Sequence, residues 1–332
     1  MGELNWVYTA LTLLVVSLVF YAIRLANPRK IFHEFAWGAM LLSMLCLVVS
    51  LVIRSKTAQY FALSNMYESM LVVCIGMQLA FLCFDRWFKV RALGFPAALL
   101  LLGAILYDLT LPTDIKPLQP ALQSYWRSIH VPIILLSYAL FTLAFLSSVV
   151  YLLKYYWVDR KTEAGHSVAA RGSAGGNLDG SLDRLAPLAS STPQLAMAAA
   201  GASPVSSIKP LHAPLSIDGT IAYDQQHEHS NIYDELTYRC VAFGFPLLAV
   251  GIILGGIWAN EAWGNYWSWD PKESMSLVTL LGYGVYLHMR VNQAHHTRVL
   301  AWVSVIGFIL MLITYFGVNL MGLGLHSYGK IG

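Results

Sequence analysis

Four of the ten tryptophans in this 332-residue chain, Trp258, Trp263, Trp267 and Trp269, fall within twelve residues. With Tyr266 they frame the stretch WGNYWSWDPKE, Trp263 to Glu273. Tryptophan and tyrosine also collect at membrane interfaces, where one edge is wet and the ring body is apolar, so a belt is one reading. Belts are scattered, whereas this cluster is compact. A flat aromatic shelf stacks a flat ligand and excludes water; a porphyrin, a quinone or an aromatic side chain of a peptide would each suit it. Two histidines are expected beside it: His130 in YWRSIHVP and His326 in GVNLMGLGLHSY. Neutral imidazole is the usual axial ligand of haem iron. Either histidine alone reads as an interfacial residue with a satisfied hydrogen bond; together with the shelf they make a candidate bis-histidine pocket.

A third histidine, His288, ends GYGVYLHMR, eighteen residues after Asp270. At 1.5 Å per helical residue it lies ~27 Å along its helix from the tryptophans, near the opposite membrane face. Ionisable side chains at membrane depth are functional candidates, with a helix-end histidine as the plainer reading. Haem at both places would make one site near each face, a layout suited to moving haem across the membrane.

The elements that must position these residues are membrane spans. The chain is 57% apolar and 12% charged, with several runs near the ~20 residues a helix needs to cross hydrocarbon. The fold class is therefore all-α: a polytopic helical membrane bundle of eight spans, near 6–23, 35–53, 66–84, 93–110, 131–153, 238–258, 271–289 and 299–319, with an external aromatic-rich loop. The first run lacks the basic flank and cleavage pattern of a signal peptide. Pro132 is expected to help start the fifth span. Trp263, Tyr266, Trp267 and Asp270 are spaced i, i+3, i+4, i+7, which predicts a short amphipathic helix along the interface. Asp270, held out of the α region by Pro271, then N-caps the seventh span, with Glu273 at the capping-box position.

Lys and Arg set the orientation. Arg24, Arg29, Lys30, Arg86, Lys89, Arg91, Lys154, Arg160, Lys161, Arg239, Arg290 and Arg298 fall on one side, which is then cytoplasmic. Both termini and the tryptophan loop are external. The net charge of +3 reflects this asymmetry and gives no support for a nucleic-acid partner. Cys46, Cys74, Cys83 and Cys240 form no C-x-x-C pair, which argues against a disulfide framework, a thiolate zinc site and a redox motif. Residues 159–232 are rich in Gly, Ala, Ser and Pro and read as a mostly disordered cytoplasmic linker with short helical pieces. It divides a five-span half, 1–158, from a three-span half, 233–332.

WGNYWSWDPKE resembles the "WWD" signature of the haem-handling proteins of cytochrome c biogenesis. FALSNMYESM, residues 61–70, is similar to a stretch of the CcsA/ResC-type branch of system II, some members of which are called CcsB. The resemblance covers the membrane portion almost end to end. It implies a cytochrome c synthase of the bacterial inner membrane, active only with a ResB-type membrane subunit. That pair would carry haem b, bound non-covalently, to the external side and attach it to the C-x-x-C-H segment of apocytochrome c, with a thiol-reducing protein as a further partner. His130 and His326 would ligate the external haem iron. His288 would share a haem within the membrane with a histidine of the partner. Trp258, Trp263, Tyr266, Trp267 and Trp269 would hold the ring. The reacting set would be His130, His326, Trp263, Trp267, Trp269 and Asp270, although capping is the favoured role for Asp270. Rival readings are a haem exporter loading a carrier protein, a quinone-linked haem electron-transfer protein, and a solute transporter.

Overall fold

Eight α-helices run through the described residues. The computed structural model describes residues 2–174, 217–292 and 297–317. The helices are α1 (Glu3–Ala26), α2 (Lys30–Ala58), α3 (Met66–Phe88), α4 (Gly94–Asp108), α5 (Tyr125–Ala174), α6 (Ile217–Trp263), α7 (Pro271–Val291) and α8 (Thr297–Leu312), the last running into a π-helical turn, Ile313–Gly317. Among the described residues seven segments are long and apolar enough to span a bilayer; α7 is the exception. One polar residue of α7 is satisfied against the turn that follows α8: the Thr279 and Thr314 hydroxyls lie 2.8 Å apart, both buried. A polar stripe satisfied against a neighbouring helix lets a span fall below a hydropathy threshold. The protein is a polytopic helical membrane bundle.

The chain divides into two compact units, Met1–Lys154 with His229–Gly332, and Tyr155–Glu228. The first holds the spans and the candidate site. In the second, helical backbone continues α5 to Ala174 and begins α6 at Ile217, so helix occupies both ends of the linker segment.

The α1–α2 hairpin shows how spans adhere where lipid is as apolar as leucine. Small buried hydroxyls donate across the interface: Ser17 to the Ala36 carbonyl and Ser43 to the Ala10 carbonyl, each at 2.8 Å, and Ser50 to the Glu3 carbonyl at 3.1 Å. α1 also packs on α4, and α3 packs on both α2 and α4.

In the second half α5 and α6 meet along a glycine seam. A Cβ on Gly244 would strike the Phe141 ring, one on Gly251 would strike Ile134, and one on Gly255 would strike His130. Steps of seven and four residues along α6 match steps of seven and four back along α5, which is one continuous antiparallel register. Phe141 in turn stacks on Tyr283 of α7 at 3.7 Å between centroids and 10° between planes. Phe145 stacks on Phe308 of α8 at 4.1 Å. Cys46, Cys74, Cys83 and Cys240 are all free thiols, as the absence of paired spacing predicts.

Two local expectations fail. The fifth helix begins at Tyr125, so Pro132 lies inside it rather than near its start. The entry is made by Ser124, whose hydroxyl accepts the Trp126 N–H at 3.2 Å. The short interfacial helix over 263–270 is also absent: no helix forms between Trp263 and Pro271. Gly264 at φ +78° closes α6, its N–H returning to the Asn260 carbonyl at 2.9 Å. The Glu273 carboxylate then takes the N–H groups of Ser268 and Asp270, and Trp269 sits at φ +59°. The i, i+3, i+4, i+7 spacing is real, but glycine and a competing acceptor remove the backbone it needs.

Candidate functional site

Asp270 and Glu273 do what their spacing predicts. Asp270 is extended (φ −53°, ψ 143°) and accepts the Lys272 N–H at 3.0 Å, while Glu273 reaches back to the Asp270 N–H, completing a capping box at the start of α7. Glu273 also accepts from the Ser268 hydroxyl. The pair thus folds the tryptophan loop down onto the head of α7.

Beneath that loop lies a cleft with about 1130 Å³ of empty space, its open mouth included. α5 lines it with one face, Arg127, His130, Val131, Ile134, Leu135 and Tyr138. α6 adds Ile252, Gly255, Gly256 and Trp258; the loop adds Tyr266 and Trp267. Lys272, Glu273 and Ser276 come from α7, Thr314 and Tyr315 from the π turn after α8, and Ser64, Asn65, Met66 and Ser69 from the head of α3. Ser69 and Tyr315 hydroxyls, 2.8 Å apart, tie two of these walls together.

His130 is held with little freedom. Its Nδ1 lies 2.6 Å from the Gly251 carbonyl, so Nδ1 carries the proton and Nε2 the lone pair of the neutral ring. The imidazole stacks on Trp258, 6.0 Å between centroids and 21° between planes. Gly255 makes the approach possible: a Cβ there would stand 2.5 Å from His130 Cε1 and 2.9 Å from Nδ1. Trp258 is nearly buried, donates its indole N–H to the Ala121 carbonyl at 3.0 Å, and meets Trp263 edge-on at 4.9 Å. A half-buried imidazole with a fixed tautomer, on an aromatic wall, can ligate a metal at the centre of a flat ring.

The aromatic cluster divides. Trp258, Tyr266 and Trp267 line the cleft; Trp263 supports Trp258 from behind. Trp269 is 72% exposed, packs edge-on against Trp267, and does not line the cleft. Asp270 likewise stands outside the lining, occupied as a cap. His326 lies outside the described residues. His288 sits in the last turn of α7, exposed, with Nε2 2.9 Å from the Asn292 amide nitrogen. His33 is buried with its Nε2 3.0 Å from Asp85, which gives it a structural partner.

Sequence reasoning missed Arg127, Lys272 and the head of α3. Arg127 is three residues before His130, on the same helical face, and Lys272 lies within the tryptophan stretch itself; both positions are visible in the chain. The Ser64–Ser69 wall belongs to the FALSNMYESM stretch, and its shape is fixed by Arg54. That buried guanidinium bonds Glu68 at 2.7 Å, and Glu68 in turn accepts the Ser64 N–H and hydroxyl at 2.6 and 2.8 Å. The link from Arg54 to the cleft joins distant positions and is seen only in three dimensions.

The cytochrome c assembly protein family model matches residues 63–326. Similar proteins include the cytochrome c biogenesis protein CcsA of Synechocystis sp., 34% identical over 330 residues, covering 97% of this chain and 96% of the relative. CcsA of Mesostigma viride is 32% identical over 324 residues, covering 96% and 93%. Among solved structures, the cytochrome c haem lyase CcmF shares the fold with a TM-score of 0.56 at 14% identity. The match takes in 95% of this chain and 47% of that structure, so the chain spans about half its length.

Proposed function

The chain belongs to the cytochrome c assembly protein family and serves cytochrome c biogenesis, and from that premise we propose that it is the haem-handling subunit of a cytochrome c synthase. The observation that carries the reading is His130: a half-buried imidazole lining an aromatic cleft, its Nδ1 held by the Gly251 carbonyl and its ring stacked on Trp258. Haem is the substrate. His130 supplies one axial ligand to its iron and His326 the other. Trp258, Tyr266 and Trp267 fix the ring plane, with Trp263 and Trp269 supporting them.

The covalent step is an addition. Each cysteine thiol of a C-x-x-C-H segment adds across a haem vinyl group: a C–S bond forms at one vinyl carbon and the thiol proton ends on the other. No net oxidant is needed, so the protein's contribution is position and water exclusion. The incoming histidine of apocytochrome c displaces one axial ligand, and the product leaves as it folds. A thiol-reducing protein keeps the cysteines competent. Asp270 acts through the turn it caps.

His288 lies at the other end of α7 and would share a second haem with a histidine from a ResB-type membrane subunit. The Lys and Arg asymmetry supports a cleft on the external side of the bacterial inner membrane with His288 toward the cytoplasm, so that haem would move from the His288 side to the cleft.

The test is the reduced absorption spectrum of the full chain copurified with its partner. A low-spin bis-histidine haem signal is expected. His130→Ala should lower cytochrome c yield by ~100-fold or more, and added imidazole should restore part of the haem signal. Full cytochrome c yield from a His130→Ala, His326→Ala double variant overturns the reading.

A further inference from the structure

We propose that Arg127 is the carboxylate anchor of the cleft, binding a propionate of the haem and so deciding which edge of the ring enters. The inference rests on the haem-handling reading above and goes beyond it by naming the residue that orients the substrate.

Arg127 is 3% exposed, and a buried guanidinium without a counter-charge is costly. Its Nε donates to the Leu122 carbonyl at 2.7 Å and its Nη2 to the Phe61 carbonyl at 3.4 Å. Nη1 is buried and has no hydrogen-bond partner among the described residues, and none of them forms a salt bridge with this side chain. The acids around it are committed. Glu68, in the adjoining α3 wall, is bonded to Arg54 and Ser64. Glu273, across the cleft, holds the Ser268 and Asp270 backbone. Lys272 adds a second cation to the lining. The cleft lining therefore sets aromatic rings beside two cations, Arg127 and Lys272, against one carboxylate, Glu273, and Arg127 keeps a donor without a described partner; such a lining favours a ligand that is flat and anionic.

Arg127 and His130 lie one turn apart on one face of α5, ~4.5 Å along the axis. Haem matches that pair: its iron takes an imidazole at the centre, and its two carboxylates share one edge. A ring ligated by His130 with that edge toward Arg127 turns the opposite edge, which carries the vinyl groups, away from the guanidinium. That is the edge on which thioether bonds form. Charge-assisted hydrogen bonds between guanidinium and carboxylate have the strength to set such an orientation.

The experiment titrates haem-depleted protein, full chain with its partner, with haem and with haem dimethyl ester, following the change in haem absorbance. The unmodified protein should bind the ester about tenfold or more weakly than haem. Arg127→Gln should weaken haem to near the ester's level and leave the ester unchanged. Equal binding of both ligands by the unmodified protein, a result that depends on no variant folding, overturns the anchor and leaves the haem-handling reading standing. A preference that survives in Arg127→Gln does the same. Failure of the unmodified protein to bind either porphyrin overturns both.

Discussion

At one end of the bundle His130 is enclosed; at the other His288 stands open. The enclosed ring has its tautomer set by a backbone carbonyl, its plane set by Trp258, and its space made by Gly255. The open one touches Asn292, one turn further along the same exposed helix end, while nearby Arg290 pairs with Asp234 at 2.6 Å and joins α7 to α6. The difference comes from what packs on them. The glycine seam draws α6 against α5 and half-buries His130, whereas among the described residues only Asn292 bonds His288. A ligand at the first end is oriented by the chain itself. A ligand at the second must be oriented from outside, which is where the proposed partner subunit enters.

The sharpest way to break this contrast is to fill the space that makes it. Gly255→Leu puts a branched side chain where the His130 ring lies, and overpacking of this kind costs ~1–3 kcal/mol. Haem dependent on His130 should fall about tenfold or more while the protein remains in the membrane, as read by spectrum and membrane content. Unchanged haem would mean that the seam does not fix the ligand. A smaller and selective effect is expected at the open end. His288→Ala should lower haem retention only when the partner is present, leaving the His130-dependent signal intact; loss of that signal as well would show the two ends to be coupled. The smallest effect belongs to the turn between them. Asp270→Ala removes a cap worth ~1 kcal/mol and should lower thermal stability slightly, whereas Asp270→Asn keeps the cap and should keep cytochrome c yield. A large loss in Asp270→Asn would make the carboxylate chemical rather than structural.

Much of this was legible in the chain. Apolar runs of bilayer length located the seven described helices long and apolar enough to span, and the eighth expected segment coincides with the helix α7. The Asp270–Pro271–Glu273 spacing specified the capping box. His130, singled out as lying beside the tryptophans, does stack on Trp258. The helix expected over 263–270 shows the limit: a matching periodicity can be overridden by one glycine at positive φ and one carboxylate collecting N–H groups.

What the sequence alone determined, then, is whatever depends on neighbours within a few residues: span length, caps, and the candidate ligands. Which tryptophans line the cleft, why His130 presents Nε2, and how Arg54 reaches the cleft through Glu68 and Ser64 were decided only by tertiary structure. The reason is physical. Trp258 meets His130, and Arg54 meets Glu68, across helix interfaces whose register is set by glycine contacts and buried hydrogen bonds far apart in the chain, and no local pattern encodes that register.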